Sequence, residues 1–134
     1  SCVEQYMMAE KARLFGDDVR LAQILVATTP KAQKALGRAV VAFDDARWQE
    51  VAREVVFRGN LEKYRQAPEL RALLLATGSR EIAEASPFDR RWGIGRGPSE
   101  LALDRSSWRG KNWLGEALVR VRAELQSQLL VTRA

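Results

Sequence analysis

The 134-residue chain contains no histidine and a single cysteine, Cys2. Each absence removes a class of chemistry. One thiol cannot form an intramolecular disulfide, and a zinc site built from Cys and His has no ligand set. Ser-His-Asp and Cys-His nucleophilic machinery lacks its general base. Any catalysis must therefore come from Asp, Glu, Lys, Tyr or bound water. No apolar run approaches the roughly 18–20 residues of a membrane span. The start of the chain shows no basic flank leading into an apolar stretch, so no signal peptide is expected. Internal repeats and low-complexity segments are also missing. The expectation is a soluble, cytoplasmic protein without a membrane partner.

What is present is an ordinary globular balance, with 46% hydrophobic and 29% charged residues, enough for one domain with a real core. The net charge is +5. A basic balance suits an anionic partner, either nucleic acid or a phosphorylated small molecule. The arginines are scattered along the chain (Arg13, Arg20, Arg38, Arg47, Arg53, Arg58, Arg65, Arg71), which weakens the nucleic-acid reading and is equally compatible with a solvated surface.

Caps and periodicity place several helices. Val3, Tyr6, Met7, Glu10 and Leu14 share a face, which predicts a helix over 2–14 stopped by Gly16. Asp17 is the expected N-cap of a helix carrying Val19, Leu21, Ile24 and Leu25. Thr29-Pro30 opens a helix ending at Gly37. Asp44 caps another, with Trp48, Val51, Ala52, Val55 and Val56, running to about Tyr64 with a weak point at Gly59. Pro68 starts a helix with Leu70, Leu73 and Leu74, closed by Thr77-Gly78. Ile82 and Ala83 suggest a short strand within 79–85. Residues 86–112 hold Pro and Gly and no helical period, and a loop of that length in a compact domain is usually functional or disordered. Four aromatics in or beside it (Phe88, Trp92, Trp108, Trp113) favour order. A last helix carries Leu114, Leu118, Val121 and Leu125.

Two places could carry chemistry. On the first helix, Glu4, Met8, Lys11 and Phe15 fall on one face. They form either a solvated edge with snorkelling stems or a Glu–Lys pair lining a pocket. In the long loop, Glu84 and Asp89 flank Ser86-Pro87. Two carboxylates on a stiff turn can act as acid and base, or stabilise cationic sugar character, although Asp89 could equally cap a turn. Trp92 beside Gly93 offers a flat face for a heterocyclic base, or is plain core. Arg90 and Arg91 either clamp a phosphate or are solvated. Gly93-x-Gly95-x-Gly97 lacks the strand-turn-helix context of a dinucleotide fingerprint.

At this loop the sequence resembles a known family. Glu84-Ala85-Ser86-Pro87-Phe88-Asp89-Arg90-Arg91-Trp92-Gly93-Ile94-Gly95 is similar to the central motif of the NADAR family, the YbiA-like proteins. Ser1 to Ala12 resembles the family's first conserved helix, followed by Phe15-Gly16-Asp17. Lys34-Ala35-Leu36-Gly37-Arg38, Phe43-Asp44 with Trp48, Leu74-Leu75 with Thr77-Gly78, and Trp108-Arg109-Gly110 with Asn112, Gly115 and Leu118 follow in family order.

The resemblance implies a mostly α, compact single-domain YbiA-like helical fold over 1–134, with a long irregular active-site loop and at most a short strand pair. It implies a cofactor-free N-glycosidase that cleaves phosphorylated ribosylamino-pyrimidine intermediates of riboflavin biosynthesis, releasing ribose 5-phosphate. The alternatives are removal of ADP-ribose from guanine bases, and a non-catalytic module that binds ADP-ribose or a nucleotide. The expected partner is a small phosphorylated riboside, or ADP-ribosylated nucleic acid under the second reading. The oligomeric state stays open. Glu4, Lys11, Glu84 and Asp89 are the catalytic candidates, and Trp92, Gly93, Asn112, Arg38 and Arg90 the substrate-binding ones. No residue is assigned to a metal. The family also carries an N-terminal segment with a strand and a Phe/Asn-containing motif that helps to form the pocket. That segment is expected to be missing from the sequence as given, which starts immediately before the first conserved helix.

Overall fold

The computed structural model describes residues 3–98 and 105–133, with side chains to residue 131. Cys2, the expected first residue of the first helix, and positions 99–104 of the long loop lie outside the described residues. Six α-helices follow one another: α1 (Val3–Leu14), α2 (Asp18–Val26), α3 (Pro30–Arg38), α4 (Asp45–Gln66), α5 (Pro68–Ala76) and α6 (Trp113–Arg133), with a 3-10 turn at Arg105–Ser107. No strand occurs among the described residues, and no helix among them is long and apolar enough to cross a membrane. Backbone contacts divide the chain into two compact units, Ser1–Lys63 and Tyr64–Ala134.

The first unit packs α1, α2 and α3 against one another. Their starts are fixed locally. Asp17 Oδ1 accepts the Arg20 amide at 3.1 Å, Thr29 Oγ1 accepts the Ala32 amide at 3.2 Å, and Asp44 Oδ1 accepts the Ala46 amide at 3.0 Å. Each bond satisfies a donor that the first helical turn leaves orphaned. The second Asp17 oxygen takes the Val41 amide at 2.9 Å, so one buried carboxylate ties the start of α2 to the segment after α3.

Two expectations are corrected here. The buried stripe of α1 is Met8, Ala9 and Ala12, whereas Tyr6 of the expected face is exposed. Small residues let α1 approach α2 and α3 closely, and they form the core with Ile24 and Val40. Gly59 does not weaken α4, which runs unbroken to Gln66. A Cβ at Gly59 would lie 2.9 Å from Tyr6 Cδ1 and 3.2 Å from Val3 Cγ1, so the position is glycine because α1 side chains pack directly onto it.

In the second unit α5 packs on α6, with Leu74, Val121 and Leu125 buried. The expected strand in 79–85 is absent because side chains, not a neighbouring strand, take its backbone groups. Arg122 Nη1 donates to the Arg80 carbonyl at 2.8 Å, and Asn112 Nδ2 to the Ile82 carbonyl at 2.8 Å. The Glu84 amide donates to Asn112 Oδ1 at 2.9 Å. The segment is extended and satisfied without a ladder.

Candidate functional site

The loop after this segment is built by short polar side chains acting on its own backbone. Ser86 Oγ accepts the Asp89 amide at 3.2 Å. Asp89 Oδ1 in turn accepts the Arg91 amide at 3.0 Å and the Trp92 amide at 2.8 Å. Of the two readings of Asp89, the turn cap is the one its hydrogen bonds display. The Glu84 carbonyl then receives the amides of Ser86 at 2.9 Å and Ile94 at 3.0 Å, closing the loop on its own base. Gly93 sits where no side chain fits, since a Cβ there would lie 2.7 Å from the Asp89 carbonyl oxygen and 2.9 Å from Ser86 Cβ.

The far side of the loop is held by the start of α6. Carbonyls of Arg90 through Ile94 accept amides from Arg109 through Leu114, including Trp113 to Arg91 at 3.1 Å and Leu114 to Trp92 at 3.0 Å. Amides that open a helix commonly bind phosphate. Here Trp113 and Leu114 already donate to loop carbonyls, so this helix start is a clamp for the loop. Asn112, 3% exposed, takes the left-handed conformation at φ 56°, which Asn tolerates better than other residues with a Cβ. Both ends of its amide are engaged, one with Ile82 and one with Glu84.

This scaffold presents a distinct chemical surface. The Trp92 and Trp113 rings meet edge to face at 5.5 Å and 83°. Arg91 lies over the Trp113 ring at 5.9 Å and Lys111 at 5.2 Å, so cations are gathered beside the aromatic pair. An open cavity of about 510 Å³ is lined by Ser86, Phe88, Asp89, Arg90, Arg91 and Trp92. Phe88, at its edge, is 95% exposed. Glu84 and Arg90 are exposed, while Trp92 is half-buried. Of the expected site residues, Asp89, Arg90 and Trp92 line this cavity, while Glu84, Gly93 and Asn112 belong to the hydrogen-bonded support of the same loop and are not on that lining. Trp113 and Lys111 join them, although the sequence does not single either out for the site. Their one signal is that an aromatic and a cation flank Asn112 at a helix start.

In the first unit Glu4 pairs with Lys34 of α3 at 3.1 Å. Lys11 lies seven residues along α1, about 10 Å by helical rise, so Lys34 is the nearer cation. The Lys11 ammonium sits over the Phe43 ring at 4.3 Å, and Phe43 meets Phe15 edge to face at 5.3 Å. Burial holds the Lys11 pKa below its ordinary value; Asp45 opposes the shift and the Arg38 charge adds to it. Lys11 and Arg38 are therefore close enough to repel, an arrangement that an anion would relieve. Among the described residues no group of three or more Cys, Asp or Glu side chains is arranged to hold a metal ion.

The NADAR domain model matches residues 1–126. Protein irg-1 of Caenorhabditis elegans is 41% identical over 128 residues, covering 93% of this chain and 60% of that protein. N-glycosidase R617 of Acanthamoeba polyphaga mimivirus is 41% identical over 124 residues, covering 92% of this chain and 73% of that protein. The NMR structure of the Escherichia coli protein YbiA matches with a TM-score of 0.76 at 30% identity, covering 96% of this chain and 68% of that one. The chain thus spans somewhat under two thirds of the nematode relative's length.

Proposed function

The chain belongs to the NADAR family, and from that premise we propose that residues 1–134 act as one NADAR domain that hydrolyses an N-glycosidic bond. The substrate in this reading is a phosphorylated ribosylamino-pyrimidine of the early riboflavin pathway, and a product is ribose 5-phosphate. The observation that carries it is the pinned loop, which holds a half-buried indole, an exposed carboxylate and an exposed guanidinium on one support.

The chemistry needs a face for the leaving base, a carboxylate for proton transfer, and positive charge for the phosphate. Trp92 supplies the face, kept in place by Trp113 and by its own amide bond to Asp89. Glu84 supplies the carboxylate. Its backbone is anchored on both sides, yet among the described residues no side chain pairs with its carboxyl group. General acid–base assistance of this kind is worth about 10²–10⁴-fold. Asp89 keeps the turn in shape, and Asn112 positions Glu84. Arg90, exposed on the cavity lining, meets the phosphate.

The assay is release of ribose 5-phosphate from the two early riboflavin intermediates. Glu84→Gln is expected to lose at least about 10²-fold in kcat. Asp89→Asn, which retains an oxygen acceptor for the Arg91 and Trp92 amides, is expected to lose less. Wild-type turnover by Glu84→Gln would remove Glu84 from the mechanism. The second reading, removal of ADP-ribose from guanine in nucleic acid, draws on Phe88. A phenyl ring 95% exposed beside Arg90 suits stacking on a base that neighbours the modified one. Turnover of an ADP-ribosylated oligonucleotide without turnover of the riboflavin intermediates would select it. Ligand binding with no product in either assay would select the non-catalytic module.

A further inference from the structure

Arg122, on α6, is 4% exposed. A guanidinium is always charged, carries five N–H donors, and when buried is ordinarily paired with a carboxylate. Among the described residues Nη1 alone is engaged, donating to Thr77 Oγ1 at 2.7 Å and to the Arg80 carbonyl at 2.8 Å. Those bonds tie α6 to the end of α5 and account for one nitrogen of three. Among the described residues no carboxylate pairs with Arg122. Nε and Nη2 have no protein partner there either, and neither is a sealed polar atom.

Arg122 lines a cavity of about 340 Å³ together with Ser79, Arg80, Glu81, Ile82, Arg105, Asn112, Glu116 and Val119. That volume lies at the small end of the roughly 300–1,000 Å³ range of ligand pockets. Glu81 and Glu116 do not turn it into a cation site, because Arg105 takes both, at 2.8 Å and 3.9 Å. Three arginines against two glutamates leave the lining at net +1. The arrangement is a buried guanidinium with two nitrogens that have no partner among the described residues, a serine in the wall, and two glutamates that share the Arg105 guanidinium.

We propose that this cavity is a binding site for a small oxyanion of the phosphate class, held by the Nε–H and Nη2–H fork of Arg122 with Ser79. A fork of two parallel donors matches two oxygens of a phosphate, which a point-charge ammonium does not. The site differs from the Trp92 loop cavity, with which it shares no lining residue. The two meet through Asn112, which lines this cavity and holds the Glu84 amide. The inference does not depend on the glycosidase reading.

The test is a titration of the full chain with inorganic phosphate and, separately, ribose 5-phosphate, followed by the NMR signals of the Arg122 Nε–H and the Ser79–Ile82 amides. The expected result is a saturable shift of these signals, weakened at least about ten-fold in Arg122→Lys, which keeps the charge and loses the fork. Val119→Phe fills the cavity, leaves the Arg122 bonds to Thr77 and Arg80 in place, and is expected to abolish the shift. If Arg122→Lys fails to fold, Val119→Phe alone decides. Tighter binding of ribose 5-phosphate than of inorganic phosphate identifies a phosphate monoester as occupant, and equal binding identifies the free ion. No saturable shift with either anion, or a shift unchanged by Val119→Phe, would overturn the proposal.

Discussion

Replacing Asn112 tests how the loop is anchored. In Asn112→Gly the left-handed backbone is kept without strain, but the Ile82 carbonyl and the Glu84 amide both lose their partners. Each buried group left unpaired costs about 1–3 kcal/mol, and partial hydration of the half-exposed segment brings the expected loss to roughly 2–4 kcal/mol. Asn112→Ala loses the same two bonds and also places a Cβ in the left-handed region, which adds about 1–2 kcal/mol. Alanine should therefore be the worse substitution, the reverse of the usual helix ranking, in which glycine is poorer by about 1 kcal/mol. Urea denaturation of the three proteins measures the order directly. Hydrogen exchange at the Glu84 amide should accelerate in both variants, and under the proposed role of Glu84 kcat should fall in both. If Asn112→Ala is as stable as Asn112→Gly, or if either loses less than about 1 kcal/mol, the two-ended clamp is not what holds this segment.

Two pH predictions follow from titratable groups in the first unit. The Val41 and Arg20 amides hold the Asp17 pKa below its ordinary value of 3.8. A depressed carboxylate adds stability that is present above 3.8 and is lost as pH falls through the folded value. Asp17→Asn should thus trail the wild type in urea midpoint at pH 6, with the gap closing below about pH 4; a gap that persists at pH 2 would contradict the assignment. Lys11 is the opposite case, because burial disfavours its charged form. That penalty is fully present below the lowered pKa and disappears as pH rises through it toward 10.5. Lys11→Met should gain stability over the wild type near neutral pH and lose that gain as alkali is added, measured by thermal midpoints in a pH series. An advantage that grows with alkali would show that the stacking on Phe43 outweighs the burial cost.

The parts of this molecule legible in the sequence are those decided within one helical turn. Asp17, Thr29-Pro30, Asp44 and Pro68 mark helix starts because a cap or a fixed dihedral acts on residues two or three positions away. What is not legible depends on distant partners. Residues 79–85 read as a strand, but their backbone groups go to Asn112 and Arg122, 28 to 42 positions later. The periodicity of α1 points toward Tyr6 because large apolar residues dominate it, while close packing selects Ala9 and Ala12. At the site, the sequence points to Glu84, Asp89 and Trp92 as a group. It does not show which carboxylate is occupied by backbone amides, because that depends on how the turn folds back on Asp89.

The bonds between loop carbonyls and the first amides of α6 bear on how the protein acquires its shape. A helix normally nucleates on its own and frays at its ends. Here Trp113 and Leu114, the first residues of α6, donate to the Arg91 and Trp92 carbonyls, while Asp89 Oδ1 and the Glu84 carbonyl hold the amides of residues 91, 92 and 94 from the other side. The loop and the opening turn are therefore expected to order together, across a chain closure of some twenty residues whose entropy cost grows only slowly with length. Exchange protection at Trp113 and Leu114 should then rise and fall with that of Ile94. A local opening that exposes one would expose all three, and the loop would be as durable as the helix it caps.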